Sequence, residues 1–217
     1  ANVGGSATAI YGYGFVRSPE GKIVYDEAGL PAYPQETQYI GDASPDWKAG
    51  FVNNFTIGNF RIGVTIDGQY GGIVYSQTHH KLMEQGKLTS TYMGREDGFI
   101  IGDGVVLNSD GSYSPNTTKA ITADWYKRYY RRANIESNSF DASFVKLREV
   151  SFQYDFPKKW LKNTNLQSVQ LGVFGRDLAI ISDFPIYDPE VGPLNGDTIL
   201  PGLEMGQMPS PASYGFN

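Results

Sequence analysis

Between Phe60 and Asp67 the chain changes character at every residue: Phe60, Ile62, Val64 and Ile66 are apolar, and Arg61, Gly63, Thr65 and Asp67 intervene. Only an extended strand sends successive side chains to opposite sides, so this segment is predicted to be a strand with one apolar and one charged face. The same alternation recurs. From Trp47 to Ile57, Ala49, Phe51, Phe55 and Ile57 share a face against Gly50, Asn54 and Thr56; Gly58-Asn59 then supplies a tight turn, since both residues tolerate positive φ. From Ser143 to Phe156, Val150, Phe152, Tyr154 and Phe156 oppose Glu149, Ser151, Gln153 and Asp155. From Leu166 to Ile180, Val169, Leu171 and Val173 oppose Ser168, Gln170 and Gly172. Weaker candidates are Ala7 to Phe15, with Tyr11, Tyr13 and Phe15 against Gly12 and Gly14, and a strand beginning at Ser213-Tyr214-Gly215-Phe216. About six strands are expected, in an all-β, antiparallel arrangement.

The lengths of the connections carry further information. They run long, tight, very long, short, long. The first holds a small hairpin from Lys22-Ile23-Val24-Tyr25-Asp26 to Leu30-Pro31-Ala32-Tyr33. The third runs from about Ser76 to Asp141 with no sustained alternation and one short helix near Ala123 to Arg132. The fourth begins at Pro157-Lys158-Lys159 as a proline-initiated helical turn, and the fifth spans Ser182 to Pro211. In an antiparallel meander, alternate connections lie at opposite ends of the sheet. All the long ones therefore fall at one end, which is the asymmetry of an outer-membrane barrel with long extracellular loops and short periplasmic turns. A soluble β-sandwich that binds carbohydrate also alternates and is the other reading of the pattern. A connection as long as the third is uncommon inside a compact soluble domain.

Composition agrees with two-faced strands. Aromatics are 14% of the 217 residues, with 15 Tyr and 12 Phe, yet hydrophobic residues reach only 40%. No apolar run approaches the roughly 18 residues of a membrane helix, which a barrel does not need. A net charge of -5 argues against nucleic acid as a partner. The absence of Cys excludes disulfides and thiolate chemistry. The opening residues, Ala1-Asn2-Val3-Gly4-Gly5, do not form a signal peptide, so an export signal is expected upstream.

No reaction centre emerges. His79-His80 has no carboxylate at a zinc-like spacing, and neither a metal nor a cofactor is expected. Asp97-Gly98, Asp103-Gly104 and Asp110-Gly111 read as turns, because the closing Glu of a calcium loop is missing. Glu149 and Asp155 lie on one face of one strand, about 20 Å apart. Glycosidase chemistry needs about 5 to 9.5 Å, so catalysis by this pair is rejected. They are expected instead, with Arg61, Thr65, Asp67, Ser151 and Gln153, to be hydrated residues facing a barrel lumen. Asn54-Phe55-Thr56 and Asn116-Thr117-Thr118 match a glycosylation sequon without meaning in this setting, and neither a phosphate loop nor a nucleophile elbow is present. The chain is therefore not expected to be an enzyme. Candidate contacts for a substrate or partner lie in the long connections: Trp125, Tyr126, Tyr129, Tyr130, Arg131 and Arg132 in one, Tyr187, Asp188 and Glu190 in the other. The alternatives are that the aromatics pin their loop and that Asp188-Pro189-Glu190 is a rigid turn.

An ordered set of segments resembles a known family. Ser44-Pro45-Asp46-Trp47 opens a strand leading through Gly58-Asn59-Phe60 to Asp67-Gly68-Gln69-Tyr70-Gly71-Gly72. There follow Asp141-Ala142-Ser143-Phe144-Val145-Lys146-Leu147-Arg148-Glu149-Val150, Gly175-Arg176-Asp177-Leu178, Tyr187-Asp188-Pro189-Glu190-Val191 and Pro211-Ala212-Ser213-Tyr214-Gly215-Phe216-Asn217. In order and spacing they resemble the C-terminal region of the SusC/RagA-like TonB-dependent transporters of Bacteroidetes. The resemblance implies that residues 1–217 are part of a plugged, 22-stranded outer-membrane barrel in contact with lipid. It implies a SusD-like surface lipoprotein as lid, TonB as energy source, and glycans or peptides as substrates. The plug and TonB box of the family are absent from the sequence, as is the last aromatic of the final strand.

Overall fold

The computed structural model describes residues 4–190, 194–195, 198–199 and 201–217, which leaves Val191 of the Tyr187–Val191 segment outside. The chain divides into two compact units. One is assembled from Pro45–Gly72, Asp141–Val191 and Met208–Asn217, the other from Ala1–Ser44, Ile73–Phe140 and Gly192–Gln207.

The first unit is a five-stranded antiparallel meander: β1 (Trp47–Ile57), β2 (Phe60–Tyr70), β3 (Phe144–Asp155), β4 (Gln170–Ile181) and β5 (Ser213–Phe216). Its register sorts the side chains by polarity. Phe55, Ile62 and Phe152 stand in one row, and Phe51, Ile66 and Leu147 in another. Thr56, Arg61 and Gln153 occupy a row of the opposite face. Because opposed residues of an antiparallel pair point the same way, one face is apolar across all five strands and the other polar. Gly58 makes the β1–β2 turn at φ 60°, a conformation that costs glycine little. A short helix, Lys158–Leu161, follows Pro157 as the sequence predicts.

One irregularity interrupts this regular pairing. Between Leu147 and Glu149 the register shifts against both neighbours, so Arg148 is an extra residue. Opposite it on β4 sits Asp177 at φ 50°, the sole non-glycine residue at positive φ among the described residues. A bulge of this kind re-aims side chains and bends the strand. Here it puts Lys146, Arg148 and Glu149 on the polar face together.

Two expectations are corrected. The sheet contains five strands and not six. The predicted Ala7–Phe15 strand shortens to Ala9–Gly12, which pairs with Gln38–Asp42 in the other unit. The reason is local: the bare faces of Gly12 and Gly14 admit the side chains of Ile135, Gln38 and Glu136, and the run stops there. The stretch from 76 to 141 is also more ordered than its lack of alternation suggests. It holds α1 (Gln77–Glu84), α2 (Thr122–Tyr129) and strands of two to three residues. The predicted Ala123–Arg132 helix ends three residues early, at Tyr129. Segments so short bear no readable period.

The second unit has its own core of Tyr25, Met83, Ile100, Ala120, Trp125 and Tyr126. The predicted hairpin survives only as Val24–Tyr25, bridged to Pro31 and paired in parallel with Val105–Val106. Tyr25 is 2% exposed, and a side chain on Gly102 or Gly104 would run into its ring. Burial pushes its phenol well above the ordinary value.

Candidate functional site

Arg61, Thr65, Asp67, Glu149, Ser151, Gln153 and Asp155 share the polar face of the sheet. Several of its charges are paired. Arg61 meets Asp155 at 2.6 Å, and Arg176 Nε donates to Glu149 at 2.8 Å. Glu149 and Asp155 thus hold separate arginines.

At the end of the sheet bearing the long connections, the pairing becomes a network. Arg148 donates to both oxygens of Asp67, at 2.7 and 3.0 Å, and to both oxygens of Glu190, at 2.8 and 2.7 Å. Lys146, only 7% exposed at its side chain, donates to Asp188 at 2.6 Å and to Glu190 at 2.5 Å. Burial opposes ionisation of Glu190, but the hydrogen bonds from Lys146 and Arg148 prevail and hold its carboxyl below the usual value. Two strand cations thereby fasten the start of the Ser182–Pro211 connection to the polar face.

This arrangement changes the reading of Asp188. It is 8% exposed and engaged by Lys146, and its Oδ1 accepts the Glu190 N–H at 2.9 Å. Asp188-Pro189-Glu190 is a rigid, ion-paired turn and not a free contact; Tyr187 beside it stays half exposed. Lys146, Arg148 and Asp177 escaped the sequence reading, although all lie in segments that carried the resemblance. Two cations two residues apart share a strand face, but unbroken alternation with Val150 and Phe152 would have put them on the apolar one.

In the other unit, α2 separates the aromatic-arginine cluster into two sets. Trp125 and Tyr126 are each 5% exposed and belong to the core, so they are corrected from contact residues to anchors. Tyr129 stacks on Trp125 at 4.5 Å, and Tyr130 packs beside both; burial raises the Tyr130 phenol to about 12. The helical period required this, since positions 125, 126, 129 and 130 form one stripe. Arg131 and Arg132 lie off it, half-buried and exposed respectively.

His79 and His80 are buried on α1 and contact Asn138 Oδ1 at 3.0 Å and the Tyr130 carbonyl at 2.6 Å. Burial holds His79 below its ordinary value against the opposing Asn138 bond. No group of three or more His, Asp or Glu is placed to hold a metal among the described residues. Gly98 and Gly111 adopt positive φ, as turns require.

The two long connections are joined inside this unit by Glu204. Leu203–Glu204 pairs in parallel with Tyr75–Ser76. The carboxylate, 1% exposed, accepts from Ser76 Oγ at 2.5 Å, Thr78 N at 3.1 Å, Thr78 Oγ1 at 2.6 Å and Gly206 N at 2.5 Å. It sits at the N-terminus of α1, where a negative charge is favoured. Glu204→Ala leaves those donors unpaired, at about 1–3 kcal/mol for the unit. In the full protein, faster proteolysis of both connections together is the expected result; cleavage of one alone would show that Glu204 does not join them.

No protein-family model matches the chain. It is 28% identical over 184 residues to TonB-dependent receptor P3 of Formosa agariphila, covering 82% of this chain and 16% of that protein. Among solved structures, the RagAB peptide importer in its closed-closed state superposes with a TM-score of 0.58 at 12% identity, over 96% of this chain and 22% of that chain. Its open-open state gives 0.53 at 13% identity, over 89% and 21%. The fold is therefore that of a transporter-barrel segment, and the chain spans about a fifth or less of each protein it matches.

Proposed function

We propose that this chain, which is similar in sequence and in fold to the SusC/RagA-like TonB-dependent transporters of Bacteroidetes, supplies part of the wall and the outer loops of an outer-membrane importer of large nutrients. The observation that carries this reading is the apolar face of the sheet. Phe51, Phe55, Ile57, Leu171, Val173, Tyr214 and Phe216 are all roughly half or more exposed on it. A contiguous apolar surface of this kind marks a membrane or partner interface. A carbohydrate-binding sandwich would bury these side chains beneath a second sheet.

Aromatic residues bound the face at both ends. Trp47 stacks on Tyr70 at 5.9 Å where the long connections leave, and Phe60, Phe152, Tyr154, Phe156 and Trp160 cluster at the tight-turn end. Such girdles flank the roughly 25 Å apolar band of an outer-membrane barrel. On this reading Phe60, Ile62, Val64 and Ile66 face lipid, and Arg61, Thr65, Asp67, Glu149, Ser151, Gln153 and Asp155 face the lumen. Both long connections lie outside the cell.

A SusD-like lipoprotein closing over those connections is the partner this proposal includes. TonB would act through a plug region beyond these residues. The substrate is a glycan or a peptide; the RagAB structures are of a peptide importer. An epitope tag inserted at the exposed Ser109-Asp110 turn tests the topology. Antibody is expected to reach it on intact cells. Access only after the outer membrane is permeabilised would invert the topology and remove the lid contact.

A further inference from the structure

Arg128, in the last turn of α2, and Arg131, two residues beyond its end, lie over the same ring. Their guanidinium carbons are 3.7 and 4.3 Å from the centroid of Tyr33, and Arg131 is also 5.8 Å from Tyr13. The two cations differ in their partners. Arg128 has Asp26 Oδ2 at 3.7 Å, while Asp26 Oδ1 accepts the Ala28 and Leu30 N–H groups, each at 3.0 Å. Its other partner is the Pro31 carbonyl, at 3.3 Å. Among the described residues no carboxylate pairs with half-buried Arg131. By contrast, Arg17, Arg61, Arg128, Arg148 and Arg176 each face one. Burial, and then the neighbouring Arg128 charge, push the Arg131 guanidinium below its ordinary value.

A half-buried cation without a counter-ion is costly, and a second beside it adds repulsion. The Tyr33 ring offsets part of that cost and holds both guanidinium groups in place, a preorganisation that a ligand carboxylate can use. We infer that Arg128 and Arg131, held on Tyr33, form a receptor for a carboxylate of an imported acidic peptide. The inference rests on the import reading above and adds the charge class of the substrate. Two fork-shaped donors match the bidentate geometry of a carboxylate. Tyr33 has guanidinium groups over it, so the station offers N–H donors and charge in place of a bare stacking surface. A peptide carboxylate on a flexible stem needs only the donors, whereas a sugar ring gains most from an open aromatic face.

The test uses the intact transporter with its lipoprotein partner in detergent, and fluorescein-labelled tetra-aspartate and tetra-asparagine peptides. Tetra-aspartate is expected to bind more tightly. Arg128→Gln and Arg131→Gln are each expected to raise its Kd roughly tenfold, about 1.4 kcal/mol, without changing the Kd of tetra-asparagine. Arg131→Lys keeps the charge but loses the fork, and is expected to fall between the two. Equal affinity for the two peptides, or an unchanged Kd in the Arg128→Gln/Arg131→Gln double variant, overturns the inference. Tighter binding of a tetra-galacturonate than of tetra-aspartate overturns the peptide assignment. Membrane fractionation separates this from the underlying reading. Protein in the outer membrane with no preference for acid sinks the receptor alone; protein absent from that membrane sinks both.

Discussion

Lys146→Met is expected to destabilise the sheet and its attached turn by about 3–5 kcal/mol, the cost of leaving a buried carboxylate without its cation. The Lys146 and Asp188 side chains are 7% and 11% exposed, so water can do little to solvate Asp188 once the ammonium is gone. Glu190, at 42% exposure, keeps Arg148 and contributes less to the loss. Calorimetry of the purified full transporter should show a lowered transition. Proteolysis between Ser182 and Glu190 should accelerate, because that segment loses one of its two cations. The decisive comparison is Lys146→Met with Asp188→Leu. Replacing a buried ion pair by apolar groups of similar volume is often neutral, so the double variant should regain most of the loss. If it is as unstable as the single variant, the penalty comes from the lost lysine stem and not from an orphaned charge.

The sheet was legible in the sequence because a strand with water on one side and an apolar medium on the other must alternate. Trp47–Ile57 appears at its predicted bounds and Phe144 to Asp155 within one residue of them, while the strand from Phe60 runs past Asp67 to Tyr70 and β4 begins at Gln170 and not at Leu166. The bulge was not legible. Arg148 adds one residue to a strand whose alternation resumes at Glu149, and a single extra position is invisible until the neighbouring strands are in register. The other unit was hidden for a different reason. Val24 pairs with Val105, and Leu203 with Tyr75, through strands only two to four residues long. Glu204 reads as an ordinary loop carboxylate, because its donors on Thr78 lie 126 positions away. Trp125 and Tyr126 misled through composition. Aromatics beside arginines look like a contact surface until the helical period assigns the rings to one side and Arg128 and Arg131 to another.

Val64→Arg should cost about 2–4 kcal/mol if its strand crosses near the bilayer midplane. Val64 is near the centre of β2, opposite Asn53 on β1 and Val150 on β3, on the face bounded by the two aromatic clusters. An arginine there has no carboxylate in its row and must deform the lipid or snorkel to be hydrated. Thr65→Arg, one residue on, projects into the polar face opposite Glu149 and should cost little. The two substitutions add the same charge to the same strand, so their difference isolates the environment of each face. Outer-membrane yield of the full transporter should fall for Val64→Arg and stay near the parent level for Thr65→Arg. The cysteine-free sequence allows a second readout on the same strand. Single-cysteine labels at 62 and 64 should be quenched by lipid-borne quenchers, and those at 61 and 65 spared. The reverse quenching pattern, with Thr65→Arg as the damaging change, would turn the sheet over and put Arg61, Asp67 and Glu149 toward the lipid. Those side chains, with Arg148, Asp155 and Arg176, form ion pairs of the polar face, whose charges could not be hydrated in hydrocarbon. A reversed pattern would therefore reverse the assignment of the two faces and require those charges to be compensated by groups outside this sheet.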